Sequence, residues 1–206
     1  SVLRTMRLAK PSTFNDPTDC PIAQEGLSND IFPDKSVFDG LRVGCFGHVE
    51  GRYRAWEDSK KWAYYGNMHK GICICYRFFN SILEDNFADK FVFKEAEYKE
   101  DFDFYRGIVA DGFLRKTKTY DEEKEWRMVW YDRDYKHNPF YWSKDQNIYF
   151  PIGRKYINQI FLGCRTMGPI KQAVIDYAKG RTPEIPVMQI YPDKDNVFKL
   201  VSTQII

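Results

Sequence analysis

Two glutamates two residues apart, Glu123 and Glu125, lie in the stretch Y-D-E-E-K-E-W-R-M-V-W-Y, residues 120–131. Paired carboxylates can orient a nucleophile and stabilise a cation that develops during transfer from a sugar. From residue 124 onward the stretch has strand character: aromatic and branched residues at a period of two, with no Gly or Pro. Trp126, Met128 and Trp130 then share one face, expected to pack into a core. Glu123, Glu125, Arg127 and Val129 share the other, because successive strand side chains alternate. The spacing therefore predicts two carboxylates pointing the same way from a strand backed by tryptophans. An ordinary half-exposed strand, its carboxylates paired with Lys or Arg on a neighbour, has the same pattern.

A second constellation is W-A-Y-Y-G-N-M-H-K-G-I-C, residues 62–73. It predicts a short aromatic helix, a glycine stop, a histidine and a glycine-led strand. Trp62 and Tyr65 are three apart and share a helix face. Such rings can stack a heteroaromatic ligand while His69 reaches a phosphate or hydroxyl; they can equally plug a core. Near the start, F-N-D-P at residues 14–17 puts Asn15 and Asp16 in a turn before a proline, where their side chains hold backbone or a ligand hydroxyl. Cys45, His48, His69 and Cys73 are zinc-type ligands, but they lack the tight, regular pairing of structural zinc sites, and no metal is expected. No Walker loop, G-x-G-x-x-G, G-x-S-x-G or H-E-x-x-H occurs, which weighs against NTP hydrolysis, Rossmann redox chemistry and the standard serine and zinc hydrolases.

These residues need elements to hold them. Strands are expected at residues 41–47, 71–78, 91–98, 124–131, 146–152 and 156–163. Short helices are expected at 57–65, with Ser59 as N-cap and Gly66 as stop, and at 166–179, stopped by Gly180. Residues 101–116 have helical character. A closing hairpin pairs 186–191 with 197–201 around residues 193–196. The order is mixed α+β with mostly antiparallel signals, not the regular alternation of a doubly wound sheet. At 206 residues the chain is expected to form one domain with its own core. Aromatic content is high at 17%, which suits a β-rich fold that binds a flat ligand. The net charge of +2 gives no strong pull toward nucleic acid or an anionic membrane. No apolar run approaches a membrane span, and residues 1–10 lack the apolar core of a secretory signal. Five cysteines without a CxxC pair suggest free thiols in a reducing cytoplasm.

Taken in order, F-N-D-P, W-A-Y-Y-G-N-M-H-K-G-I-C, K-T-K-T-Y-D-E-E-K-E-W-R and I-N-Q-I-F-L-G resemble a bacterial and phage domain-of-unknown-function family from about Leu8 to the C-terminus. That family in turn resembles a divergent branch of the ADP-ribosyltransferase superfamily. The resemblance implies a split antiparallel β-sandwich, NAD as co-substrate, and transfer of ADP-ribose to a protein or nucleic acid acceptor by a toxin or antiviral-defence effector. By it, Glu125 matches the catalytic glutamate, Glu123 the upstream residue of an E-x-E pair, and Tyr65 the middle aromatic, packing against nicotinamide. His69 and Asn15 join the NAD-binding set. Tyr64 stands where the family often has His. A strand carrying an aromatic and a His or Arg, which precedes the region equivalent to residues 6–15, is expected to be missing or incomplete here.

Two other functions fit the same residues. One is a non-catalytic sensor or interaction module on the same fold. The other is a metal-dependent nuclease or hydrolase. An open cleft holding Glu123, Glu125 and Tyr65 favours the transferase. Glu125 tied up by Arg127 and other basic groups favours the module. A third carboxylate or His converging on the pair favours the metal enzyme.

Overall fold

The computed structural model describes residues 5–14, 36–50, 53–77, 91–100, 113–151 and 156–206. The first elements are β1 (Thr5–Leu8), α1 (Ser36–Asp39), β2 (Leu41–Gly47), β3 (Val49–Glu50), β4 (Tyr53–Arg54), α2 (Ser59–Tyr64) and β5 (Ile72–Tyr76). Then come β6 (Phe91–Glu95), β7 (Glu97–Lys99), β8 (Arg115–Thr117), β9 (Glu125–Tyr131), β10 (Tyr141–Trp142) and β11 (Asn147–Pro151). The chain closes with β12 (Ile157–Leu162), α3 (Gly168–Lys179), β13 (Val187–Pro192) and β14 (Leu200–Gln204). The described architecture is α+β, with mostly antiparallel sheets and few helices. None of the described helices is long and apolar enough to cross a membrane. Two compact units emerge, each assembled from two stretches of chain: Ser1–His48 with Asn80–Ile152, and Val49–Phe79 with Gly153–Ile206.

In the first unit β9 is the central strand of an antiparallel sheet ordered β2-β9-β6. Its expected alternation is present, but both faces are covered. Val129 packs on one side with Phe38, Leu41, Val43, Phe113 and Leu114. Met128 and Trp130 are buried on the other. The open, charged front expected from the sequence is therefore absent. What covers it is the chain around Phe113 and β8, which the sequence suggested as the end of a helix over 101–116. Residues 101–112 lie outside the described residues; Phe113 and Leu114 are helical, as expected, while residues 115–117 are a strand, parallel to β7. The last carbonyls of a helix have no partner within it. Here the carbonyls of Phe113 and Arg115 are available, and Arg127 takes both.

A second buried cation orders the remainder of this unit. The Arg42 guanidinium, fully buried, donates to the carbonyls of Gln146 (2.7 Å), Asp39 and Leu41 (both 2.6 Å). It also lies 4.7 Å from the Tyr135 ring centre. Burying a charge is tolerable only with this degree of pairing. The contact anchors the β10–β11 turn, and β11 then pairs with β1 to complete the sheet β1-β11-β10.

The second unit is built on a four-stranded sheet, β14-β13-β12-β5. β12 and β13 are parallel and joined through α3; the flanking pairs are antiparallel. The C-terminal hairpin forms as expected, although β14 starts at Leu200 and runs on to Gln204. α3 ends at Gly180 and buries Val174 and Ala178. In α2 the N-cap is Asp58 rather than Ser59: its carboxylate accepts from the Lys60 and Lys61 amides. A full negative charge suits the positive end of a helix better than a hydroxyl does. Trp62 is buried against Phe161, Ile190 and Leu200 and donates its Nε1 proton to the Trp56 carbonyl at 2.8 Å.

After α2 the chain makes a tight turn with three consecutive non-glycine residues in the left-handed region: Asn67, Met68 and His69, at φ 49°, 51° and 66°. Each such residue costs on the order of 1 kcal/mol, so the surroundings must impose the shape. They do: the His69 carbonyl accepts from the Arg165 amide at 2.9 Å, and the Gly163 amide donates to the Gly71 carbonyl at 3.1 Å. A Cβ placed on Gly163 would meet the His69 carbonyl oxygen at 2.2 Å, a backbone contact that cannot swing away. Gly163→Ala is therefore expected to destabilise the protein by about 2–3 kcal/mol, the range of overpacking. A urea titration followed by tryptophan fluorescence measures this loss.

Candidate functional site

Glu125 opens β9 and is 6% exposed. Its Oε1 accepts from Arg127 Nε at 2.6 Å and its Oε2 from Lys116 Nζ at 2.9 Å. The Cys45 thiol also donates to it, and its own backbone N–H donates to the Tyr98 hydroxyl oxygen at 2.7 Å. Each neighbour arrives by the local geometry of its strand. Arg127 is two residues along β9 and so on the same face as Glu125. Cys45 stands opposite Arg127 in the β2–β9 register. Lys116 is the middle residue of β8.

Glu123 reaches the same place by another route. It ends the 3-10 segment Lys118–Glu123, and Lys124 follows in the left-handed conformation at φ 44°. Glu123 is thus not part of the strand. The two carboxylates meet because both contact one ammonium: Glu123 Oε2 lies 2.7 Å from Lys116 Nζ. That ammonium is also 5.1 Å from the Tyr120 ring centre. The expected pairing of Glu123 with Glu125 holds in space but not through strand alternation.

The result is a chain of alternating charges, Glu123, Lys116, Glu125, Arg127. Arg127 is fully buried, and its Nη1 donates to the carbonyls of Phe113 (3.0 Å) and Arg115 (3.3 Å). Burial alone would push the Glu125 carboxyl up. The Arg127 and Lys116 charges, with hydrogen bonds from Lys116 and Cys45, outweigh it and hold the carboxyl lowered to about 2. Glu125 is consequently an anion throughout the neutral range, with both oxygens engaged.

The other sequence candidates lie elsewhere. Tyr65 and His69 belong to the second unit, and Asn15 lies outside the described residues. Tyr65 caps the C-terminus of α2 and is 63% exposed, while Trp62, expected on the same face, is buried. Tyr65 keeps helical backbone, with its N–H on the Lys61 carbonyl, so the shared face holds one buried ring and one exposed ring. Tyr64 is 78% exposed, its ring edge-on to Tyr65 with centres 6.5 Å apart. His69 sits in the left-handed turn, its Nδ1 enclosed without a hydrogen-bond partner among the described residues. Of the zinc-type ligands, Cys45 and His48 belong to the first unit, His69 and Cys73 to the second. Among the described residues no three His, Cys, Asp or Glu side chains form a metal-holding group.

Lys116 and Tyr98 were not among the residues the sequence suggested, and Cys45 was weighed only as a zinc-type ligand. The signal for Arg127 was present in the E-x-R spacing. Nothing local marks Lys116, which arrives from a separate strand. No known family model, curated protein or solved structure matches this chain.

Two outcomes follow from this network. Glu125→Gln leaves Arg127 and Lys116 buried beside a neutral group and is expected to cost about 3 kcal/mol of stability; Glu123→Gln, at a partly exposed carboxylate, costs less. The second outcome concerns acid. The folded carboxyl is depressed from 4.5 to about 2, so its contribution is complete above the unfolded value and is lost as pH falls from 4.5 through 2. Chemical denaturation across that window should show roughly 3 kcal/mol less of this acid loss in Glu125→Gln than in wild type.

Proposed function

We propose that this chain acts by recognition rather than by catalysis, as a non-catalytic sensor or interaction module on an ADP-ribosyltransferase-like scaffold. One observation carries this reading: both oxygens of Glu125 are held by buried cations. A carboxylate that stabilises a developing ribosyl cation needs a lone pair facing the substrate, and its charge must be spent on the transition state. Glu125 spends its charge on Arg127 and Lys116. The mostly antiparallel sheets are compatible with the split β-sandwich that the motif resemblance implies.

A second reading, NAD-dependent ADP-ribose transfer, draws support from a different feature. Glu123 and Glu125 converge on one ammonium, and Glu125 is kept ionised. On this reading Glu125 would hold the ribose hydroxyl while the bond between nicotinamide nitrogen and ribose C1′ breaks. Nicotinamide would leave, the acceptor nucleophile would bond to C1′, and Glu123 would take the acceptor's proton. A metal-dependent nuclease draws no comparable support, because the groups that converge on the two carboxylates are cations.

The two readings separate in one assay. Wild-type protein is incubated with NAD labelled in its adenylate moiety and with cell lysate, and label in protein and nucleic acid fractions is counted. The recognition module yields no label above a boiled control, and Glu125→Gln changes only stability. Transfer that disappears in a folded Glu125→Gln protein would establish the transferase instead.

A further inference from the structure

The near-neutral charge of the whole chain hides a separation. The first unit carries 17 Lys and Arg against 22 Asp and Glu, a net of −5; the second carries 14 against 7, a net of +7. The positive unit is also uneven along its sequence. Within it, residues 59–79 contain no Asp or Glu, and neither do residues 153–175. Parts of these two acid-free stretches are bonded to each other: the His69 carbonyl accepts from Arg165, Gly71 accepts from Gly163, and the Thr166 hydroxyl donates to the Gly71 carbonyl at 3.0 Å.

On this paired segment stand the exposed rings of Tyr64 and Tyr65 and the 59%-exposed Met68. The exposed cations Lys60, Lys70 and Arg165 accompany them. These large groups stand outside the core cluster that Trp62 forms with Phe161, Ile190 and Leu200. We propose that this platform binds single-stranded nucleic acid, its tyrosines stacking bases and its Lys60, Lys70 and Arg165 contacting phosphates. The combination of aromatic faces with cations is what a single strand requires, and the acid at the platform's edge, Asp58, is committed to the Lys60 and Lys61 amides. Every base offers a ring face, and every linkage a negative charge. A duplex keeps its base faces stacked inside and offers the tyrosines nothing. An acidic peptide would satisfy the cations and leave two phenol rings without use. The three left-handed residues keep the turn in shape before any ligand arrives, which lowers the ordering cost of binding.

This inference rests on the recognition reading and names its partner. Fluorescence anisotropy of labelled oligo(dT) and oligo(U) of about 20 nucleotides, longer than one typical site, tests it with the whole chain. Wild type is expected to bind both strands, and a duplex of the same length far more weakly. Tyr64→Ala with Tyr65→Ala should lower affinity by on the order of ten-fold per ring. Lys70→Ala with Arg165→Ala should reduce the slope of log affinity against log salt by about 1.4, two phosphates at ~0.7 each. All four side chains are exposed, so unchanged melting temperatures certify the fold of these variants. Absence of binding at low salt, full binding by the tyrosine variant, or equal binding of duplex and heparin would each overturn the proposal. Label transfer from NAD would sink the recognition reading and leave these anisotropy results to be judged by themselves.

Discussion

Burial of the Arg127 guanidinium is the constraint on which the first unit depends. Removing such a charge from water costs several kcal/mol unless every donor finds an acceptor. The donors go to Glu125 and to two backbone carbonyls of the segment running into β8. That requirement ties the end of this helical turn and the start of β8 to β9. It also brings Lys116 within reach of Glu125, and Lys116 in turn draws in Glu123. Cys45 from β2 and Tyr98 from β7 complete the set. Four strands are thus tied at one end of β9 by polar contacts, while Val129 and its apolar neighbours tie the other end. The same strand face is ionic at one end and hydrocarbon at the other.

The consequence for function is a matter of where charge is spent. A reactive carboxylate is left under-satisfied so that a substrate can complete its shell; Glu125 is fully engaged from within. The second unit has the opposite character. Its core is closed by Trp62, and large rings stand outside that core on a turn whose backbone is held in a costly shape. Backbone strain of this kind persists only where surrounding contacts over-determine it. Here the contacts come from Gly163 and Arg165, whose backbones close on the turn.

Much of the scaffold was legible in the sequence because its signals are local. The bounds of β2 and the cores of β9, β11, β12 and α3 follow from period-two or helical patterning with glycine stops. The C-terminal hairpin follows from its polar turn. The failures share one cause. Asp58 outcompeted Ser59 as cap, Tyr65 stays exposed on the helix face that buries Trp62, and residues 115–117 form a strand beside carbonyls that serve a distant arginine. Whole-chain charge misled in the same way. A net of +2 averages two units of opposite sign whose boundaries appear only when the chain is folded.

What the sequence determined by itself was direction: Glu125 and Arg127 on one side of β9, the tryptophans on the other, and a tight glycine-bounded turn after Trp62. Alternation sets which way a side chain points, because it depends only on backbone geometry within a few residues. What only the tertiary structure decided was what each side meets. The face carrying Glu125 is dry because Phe113, Lys116 and Cys45 arrive from elsewhere in the chain, whereas Tyr64 and Tyr65 are exposed. Burial is a property of non-local neighbours, and it converts the glutamate that looked most reactive into the counter-ion of a buried arginine.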